Sequence, residues 1–479
     1  MKSLFRILPV AVLLTACGDA PKEEKKAPER PPSNYFVSVK GTPEGNGGKE
    51  TPWDLQTALN HPAVVVPGDF IWLRGGVYKG QFKSKLSGSQ VKPITVRAYE
   101  SERVVLDSPV EPVEDSVLRV DGAWTWYQGF EVTSTWPPRI DAPKQRPVGV
   151  NVFGPNNKLI NLVVHDVFSV GFWGGFDGSE MYGNLLYYNG QDTKGVGNGH
   201  GVAAQNREGV KRLTDNIAFQ NFGHGFYMFG SDDAFLNNFH LEGNVAFNNG
   251  TISKVGEERN ILLGGAVTTR KPVLLSNYTY WSKADTLAQN NLGYLSGCDE
   301  LTAKNNYFAV GVALIVIKCN NIVAEGNTFI GSTSGFDSKT HPQNTYVPYG
   351  TKPTSGVSVF VRPNKYQPGR GHVVVFNWEG KDTVDADLKD ILQPGQNYEV
   401  RDAQNYFGPP AVHGVYQGGS VTIPVKLTAV AKPVGVVPVP PVHTSREFGA
   451  FVVEMVPAPV VPEVAAPKAG GAKAAVQKK

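Results

Sequence analysis

Asn161-Leu-Val-Val-His-Asp166 and Asn184-Leu-Leu-Tyr-Tyr-Asn189 begin a pattern that continues in Asn216-Ile-Ala-Phe-Gln-Asn221 and Asn244-Val-Ala-Phe-Asn-Asn249. In each stretch an Asn is followed by apolar residues at the first and third positions and by Asp or Asn at the fifth. The stretches recur roughly every 20–30 residues, which is the spacing of a solenoid repeat. Stacked strands lie about 4.8 Å apart, so equivalent Asn side chains can hydrogen-bond along a column. The pattern predicts a parallel β-helix whose function lies on the flank of the rod.

The segment before these repeats carries a fixed order of motifs. Thr51-Pro-Trp-Asp54 indicates a helix start with Thr51 as the N-cap, and we expect this short helix to cap the first coil. The other motifs are Tyr35-Phe-Val-Ser38, Pro67-Gly-Asp-Phe-Ile-Trp-Leu-Arg-Gly-Gly-Val-Tyr78, Pro93-Ile-Thr-Val-Arg-Ala-Tyr99 and Val104-Val-Leu-Asp107. Their order resembles the opening of right-handed parallel β-helix proteins of the pectate-lyase-like superfamily, nearest the branch of alginate and chondroitin lyases. The resemblance covers roughly residues 35–335 and implies the fold. It leaves the activity open, because the superfamily also holds epimerases, hydrolases, adhesins and inactive binders.

The N-terminus reads as an export signal over residues 1–16. Lys2 and Arg6 precede a short apolar run that is too short to span a bilayer. Leu14-Thr-Ala-Cys17 resembles the lipobox of bacterial lipoproteins, which implies cleavage before Cys17 and lipidation of its thiol. The alternative is an ordinary signal peptide with an incidental cysteine. Because Gly18 stands where an inner-membrane retention signal would have Asp, we expect attachment to the outer membrane, on its periplasmic face or at the cell surface.

Composition and the remaining segments define the other parts of the chain. The formal net charge is +3, with 46 Lys and Arg against 43 Asp and Glu, so no nucleic-acid surface is expected. Residues 17–34 are expected to be a flexible tether and residues 457–479 a disordered tail. We expect a monomer whose acyl group is its membrane attachment.

The C-terminal part is expected to contain the end of the rod, a linker and a second domain. Cys298-Asp-Glu-Leu and Cys319-Asn-Asn-Ile match position for position, which places the two cysteines in one column of adjacent coils. We expect two buried thiols there, with a disulfide as the alternative. After a linker over 336–353, residues 354–456 alternate like a small antiparallel β-sandwich. It is either a cap for the rod or a carbohydrate-binding module.

A second repeated motif indicates where chemistry could occur. Gly199-His-Gly-Val202 and Gly223-His-Gly-Phe226 lie about one coil apart, so His200 and His224 are expected to be neighbours. Two adjacent imidazoles depress each other's pKa and leave at least one neutral general base; a structural polar ladder is the alternative. With Tyr227 as acid and Arg270 as neutraliser of a uronate carboxylate, the set meets the needs of a polysaccharide lyase.

Further polar and aromatic residues surround this motif. The residues expected to contact a glycan are Trp173, Gln205, Asn206, Arg207 and Lys271. The resemblance to alginate and chondroitin lyases implies a different arrangement, a Lys/Arg pair with calcium held by acidic side chains. This chain does not match that arrangement residue by residue. The Asp-Pro-His-Asp motif of β-helix epimerases is also missing from the sequence. No cofactor is required by the motifs, although Asp232-Asp233 is a candidate calcium ligand pair. Two solvated acids are the alternative there.

Two functions follow from these patterns. The first is an exported, lipid-anchored β-helix protein acting on polysaccharide as a lyase of acidic, uronate-containing glycan. The second is a non-catalytic glycan-binding or surface-scaffold lipoprotein whose ladders are purely structural.

Overall fold

A column of asparagine amides runs along one corner of the molecule. The computed structural model describes residues 30–137, 139, 146–175, 177–193, 196–257, 259–283, 288–348 and 350–458. In this column each amide Nδ2 donates to the Oδ1 of the next side chain at 2.7–3.0 Å. Its members are Asn184, Asn216, Asn244, Asn277, Asn306, Asn327 and Asn344. A second column at the next corner consists of Asn189, Asn221, Asn249 and Asn260. The predicted ladders are therefore confirmed.

The first repeat of the pattern was placed one residue out of frame. Asn184 Oδ1 accepts the backbone N–H of Leu162 at 2.8 Å, so Leu162 and not Asn161 precedes Asn184 in the column. Asn161 has a φ of +53° and Gly183, its true equivalent in the next coil, has a φ of +67°. Asn and Gly both tolerate this left-handed conformation. Because Asn also suits the left-handed position beside the ladder, Asn161 has the sequence pattern of a ladder residue.

Three parallel faces close into the rod, as in a β-helix. The first face contains Asn34–Val37, Phe70–Leu73, Ile94–Ala98, Thr125–Gln128, Lys158–Ile160, Glu180–Tyr182, Lys211–Thr214, Phe239–Glu242, Val273–Leu275, Thr302–Lys304 and Val323–Glu325. The second face contains Gly76–Lys79, Val104–Asp107, Glu131–Thr133, Val163–His165, Leu185–Tyr187, Ile217–Phe219, Val245–Phe247, Tyr278–Tyr280 and Thr345–Val347. The third face contains Phe82–Ser84, Ser116–Val120, Val148–Val152, Val170–Gly174, His200–Ala204, Phe226–Met228, Arg259–Gly265 and Gln289–Leu295. Two long strands, Tyr307–Val316 and Thr328–Ser334, run through the second and third faces.

The core of the rod lies between the three faces. Alternate residues of the third face, such as Phe172, Val202 and Phe226, point inward and are fully buried. The residues between them point outward, and this second set forms the surface on which a ligand can bind.

The first coil is closed by the helix Leu55–Leu59. Its N-cap is Asp54, whose side chain accepts the backbone N–H of Thr57 at 2.9 Å. The expectation that Thr51 is the cap was wrong, because Asp54 supplies the capping oxygen three residues later. Leu55, Ala58 and Leu59 are buried against the first coil.

Short strands at the turn between the third and first faces hold the two cysteines. The strands Thr269–Arg270, Cys298–Asp299 and Cys319–Asn320 pair in parallel. Cys298 faces Cys319 directly, and the two are joined by a disulfide with Cα atoms 4.3 Å apart. The shared column is confirmed, and the expectation of two thiols was wrong because this Cα separation is short enough for a bridge.

A β-sandwich follows the rod. One antiparallel sheet contains Val357–Pro363, Arg370–Asn377, Phe448–Met455, Asn397–Asp402 and Val412–Val415, and the other pairs Thr383–Asp387 with Ser420–Pro424. Single turns of 3-10 helix lie at Ala403–Asn405 and Ser445–Glu447. The fold class predicted from sequence, a parallel β-helix followed by an antiparallel β-sandwich, is confirmed.

The sandwich packs along the outer side of the second face. A column of stacked rings, His165, Tyr187, Phe219 and Phe247, has centroid separations of 4.8, 5.1 and 4.9 Å and ends against Phe448 of the sandwich. The extended segment 427–443 adds backbone contacts to the rod. This arrangement covers the second face. Among the described residues, no helix is long and apolar enough to cross a membrane.

Candidate functional site

A groove of about 310 Å³ lies on the outer side of the third face. Its lining residues come from consecutive strands and the turns before them: Asp115, Val148, Asn151, Ser169, Val170, Trp173, His200, Ala203 and Tyr227. In one column of this face, Trp173 pairs with Ala203, and Ala203 pairs with Tyr227. Trp173 and Tyr227 therefore lie on either side of Ala203, and their strands are two strand spacings, roughly 10 Å, apart.

The two histidines lie side by side at one edge of the groove, as predicted. Their ring centroids are 4.8 Å apart, and the His200 ring stacks on Tyr227 at 4.2 Å. His200 Nδ1 accepts the backbone N–H of His224 at 3.1 Å. A neutral imidazole that accepts through one nitrogen carries its proton on the other. His200 is therefore the Nε2–H tautomer.

His224 is fixed by the next coil. Its Nε2 lies 3.3 Å from Nη1 of Arg259, and since a guanidinium only donates, His224 Nε2 is the acceptor. The proton then lies on Nδ1, which is buried and has no partner among the described residues. Arg259 Nη1 also contacts the carboxylate of Glu257, and its guanidinium lies 5.3 Å from the centre of the Tyr294 ring.

Burial governs the protonation of this cluster. It lowers the pKa of His200 to about 3. Burial, followed by the charges of His200 and Arg259, lowers the pKa of His224 well below its usual value. Burial also raises the pKa of Tyr227, which keeps its phenol protonated. At neutral pH the groove edge therefore presents two neutral imidazoles and a neutral phenol.

The opposite end of the groove is polar. Asn151, which is 7% exposed, donates weakly through Nδ2 to Asp115 Oδ2 at 3.4 Å. Its Oδ1 is buried and has no hydrogen-bond partner among the described residues. Buried polar atoms are normally paired, so this amide lacks one donor that a ligand could supply.

Arg259, and not Arg270, is the arginine next to the histidines. The strand Arg259–Gly265 adds directly to Phe226–Met228, so Arg259 continues the column of His200 and His224. Arg270 is exposed in the short sheet at the following turn, where its backbone lies opposite that of Asp299 in the neighbouring strand. The glycine–histidine motif gave no signal for Arg259, because in that coil Asn260 replaces the glycine that follows each histidine.

The predicted glycan-contacting residues are divided between the groove and the turn beyond it. Trp173 lines the groove. Gln205 Nε2 donates to the backbone oxygen of Phe229 at 3.3 Å. Asn206 is buried, and its Nδ2 donates to the backbone oxygens of Gly209 in its own turn and of Asn237 in the next coil. Arg207 is exposed over the ring of Phe235, and Lys271 is exposed with Nζ 3.4 Å from Glu300. The catalytic and binding roles assigned to these residues stay predictions.

The candidate calcium ligands Asp232 and Asp233 are exposed side chains in a turn. Within the described ranges, no group of three or more His, Cys, Asp or Glu side chains is arranged to hold a metal ion. Cys17, the predicted lipidation site, lies outside the described residues.

Comparison with known proteins gives the family. Residues 35–327 match the family model described as "Pel9A-like, right handed beta helix region". Among curated proteins, the uncharacterised protein YwoF of Bacillus subtilis (strain 168) is 32% identical over 107 residues, and the match spans 22% of each chain.

Solved structures share the fold at low identity. Pectate lyase Pel9A is 19% identical with a TM-score of 0.44, and the alignment covers 67% of this chain and 79% of that one. A GH136 lacto-N-biosidase from Eubacterium ramulus is 14% identical with a TM-score of 0.46, covering 66% and 65%. An alginate lyase from Paenibacillus sp. str. FPU-7 is 16% identical with a TM-score of 0.38, covering 66% and 98%. The family match spans more than half of the sequence, and this chain belongs to the Pel9A-like right-handed β-helix family.

Proposed function

We propose that this protein binds a polysaccharide strand in the groove of the third face. The observation that carries the proposal is the unpaired amide oxygen of Asn151 in a groove walled by Trp173 and Tyr227. A sugar offers hydroxyl donors for the amide and an apolar ring face for the aromatics. Ala203 lies between the two walls and is 2% exposed.

The protonation of the histidines favours binding over elimination as the first proposal. A general base needs an unprotonated nitrogen that faces the substrate. His200 uses Nδ1 to accept a backbone amide, and His224 uses Nε2 to accept Arg259. His200, which lines the groove, is left with an N–H donor that suits a hydroxyl or carboxylate oxygen of a bound glycan, whereas the remaining N–H of His224 is buried.

A polysaccharide lyase is the second candidate. The Tyr227 ring, in the same coil, and the guanidinium of Arg259, in the next coil, both lie next to the His224 ring. An acid and a cation are two of the three groups that elimination next to a uronate requires. In this alternative Arg259 takes the neutralising role first assigned to Arg270.

The test is calorimetric titration of the purified chain with alginate, polygalacturonate and chondroitin, alongside ultraviolet detection of unsaturated sugar ends. We expect binding that falls about fivefold in Trp173→Ala, since an aromatic contact contributes roughly 1 kcal/mol. Trp126→Ala is the control, because Trp126 lies on the first face and contacts Tyr366 at a ring distance of 5.5 Å. Equal affinity of the two variants would mean that the groove does not bind the polysaccharide. Detection of unsaturated sugar ends with any substrate would favour the lyase activity over the proposed binding function.

We also propose that the protein is lipid-anchored at Cys17 to the outer membrane. The proposal rests on Leu14-Thr-Ala-Cys17 and on Gly18 after it. Mass spectrometry of the mature N-terminus should find an acylated cysteine in the outer-membrane fraction, and Cys17→Ser should release the protein in soluble form. An unmodified cysteine, or an N-terminus that begins elsewhere, would refute the anchor.

A further inference from the structure

The turns that lead into the third face differ in length around His224. The turn directly before His224 is short, with Phe222 and Gly223 between the Asn column and the ring. One coil earlier, the turn before His200 carries the hairpin Gln191–Thr193 and Val196–Asn198. One coil later, the turn before Arg259 carries the segment 250–257. Two long turns therefore stand on either side of a short one.

A single carboxylate joins the two long turns. Asp192, in the hairpin, accepts the hydroxyl of Ser253 at 2.5 Å and the backbone N–H of Lys254 at 3.0 Å. Ser253 Oγ in turn accepts the backbone N–H groups of Val255 at 3.0 Å and Gly256 at 2.6 Å. Asp192 and Ser253 are both 9% exposed, so these bonds form in a nearly dry environment. Hydrogen bonds to an ionised carboxylate are about twice as strong as neutral ones.

The joined turns lie against the short turn before His224. A Cβ on Gly256 would lie 2.1 Å from the backbone oxygen of Phe222, so segment 250–257 rests directly on the short turn. The segment ends at Glu257, whose carboxylate contacts Arg259 and lies 3.6 Å from His224 Nε2. The position of this segment therefore sets the position of the arginine that holds His224.

We propose that Asp192 is a positioning residue for the groove. Through Ser253 it holds segment 250–257 against the short turn and keeps Arg259 hydrogen-bonded to His224. The backbone of His224 in turn fixes the tautomer of His200, which lines the groove. Glycan affinity then depends on Asp192, although its side chain does not line the groove. The inference rests on the proposed function, which it deepens.

The experiment compares the full chain with its Asp192→Asn variant in three measurements. Hydrogen–deuterium exchange follows the amides of residues 254–256, and nitrogen-15 NMR follows the ring nitrogens of His224. Calorimetry follows the affinity for whichever glycan the unaltered chain binds. We expect faster exchange, a shifted Nε2 signal and an affinity about tenfold lower, as for the loss of a charge-assisted bond. Ser253→Ala should reproduce all three effects, and the double variant should add little because both residues act through one contact.

Asp337→Asn is the matched control. Asp337 also accepts two backbone amides and a threonine hydroxyl, but in an exposed turn near the end of the rod. It should leave the His224 signal and the affinity unchanged. Unchanged exchange and an unchanged His224 signal in Asp192→Asn would overturn the proposal, and so would unchanged affinity with faster exchange. If the unaltered chain binds no glycan, the proposed function fails by itself, and an unshifted His224 signal would still overturn the positioning role.

Discussion

Asn216 offers the sharpest test of the ladder. Its Nδ2 donates to the backbone oxygen of Met181 at 2.8 Å and to Asn244 Oδ1 at 2.9 Å. Its Oδ1 accepts the backbone N–H of Asn184 at 3.2 Å and the side-chain N–H of the same residue at 2.8 Å. Asn216 is fully buried, so the substitution Asn216→Ala removes four hydrogen bonds away from water. Asn244 Oδ1 keeps the backbone N–H of residue 216, and Asn184 Nδ2 keeps the backbone oxygen of Leu159.

The expected cost of Asn216→Ala is about 4 kcal/mol in the free energy of unfolding, at about 1 kcal/mol for each lost bond. The assay is urea unfolding followed by tryptophan fluorescence, with hydrogen exchange at the Asn184 amide as a local measurement. Asn161→Gly is the control, since Asn161 lies beside the ladder, and glycine keeps its left-handed backbone without strain. We expect the control to cost about 2 kcal/mol through its two lost hydrogen bonds to the sandwich. Equal losses for the two variants would refute the idea that the ladder stabilises the rod cooperatively.

Two further predictions concern the disulfide and the junction between rod and sandwich. Replacing Cys298 and Cys319 by serine should cost about 3 kcal/mol in urea unfolding, because the bridge closes a loop with a sequence separation of 21; no change, or a gain, would contradict this. Burial disfavours the charged ring of His165, but hydrogen bonds to Asp166 and Glu131 outweigh it and raise its pKa to about 9. The folded pKa lies above the unfolded value of about 6.5, so the stabilisation is complete below about pH 6.5 and is lost towards pH 9, by about 3 kcal/mol. His165→Gln should flatten this part of the stability profile, and a variant with an unchanged pH dependence would assign it to another group.

The sequence allowed much of the rod to be predicted because the coil constrains each position chemically. Inward positions must be apolar, and the corner amides must stack, so Asn184, Asn216 and Asn244 appear in a regular frame. The frame failed at Asn161 because the left-handed position next to the ladder also accepts Asn. Likewise the glycine–histidine repeat predicted the contact between His200 and His224, since both lie on strands of equal register.

Contacts between distant segments left weaker signals. Tyr187, Phe219 and Phe247 alternate with inward apolar residues, so the second face is apolar on both sides, which is typical of a covered sheet. That pattern could have indicated a packed layer, but it could not identify the sandwich as the layer. Arg259 could not be placed beside the histidines from the sequence, because the turn before it has no motif that fixes its register. The role of Asp192 depends on two turns separated by a whole coil, which spacing alone does not relate.

The most direct test of the account is calorimetric titration of Ala203→Trp with the glycan that the unaltered chain binds. The new side chain would fill the gap between Trp173 and Tyr227. Ala203 is 2% exposed, so the larger side chain displaces its neighbours at a cost of about 1–3 kcal/mol. The account predicts that the unaltered chain binds and that Ala203→Trp still unfolds cooperatively, at a lower urea concentration, but shows no measurable binding. Undiminished affinity in the folded variant would contradict the claim that the groove of the third face holds the polysaccharide.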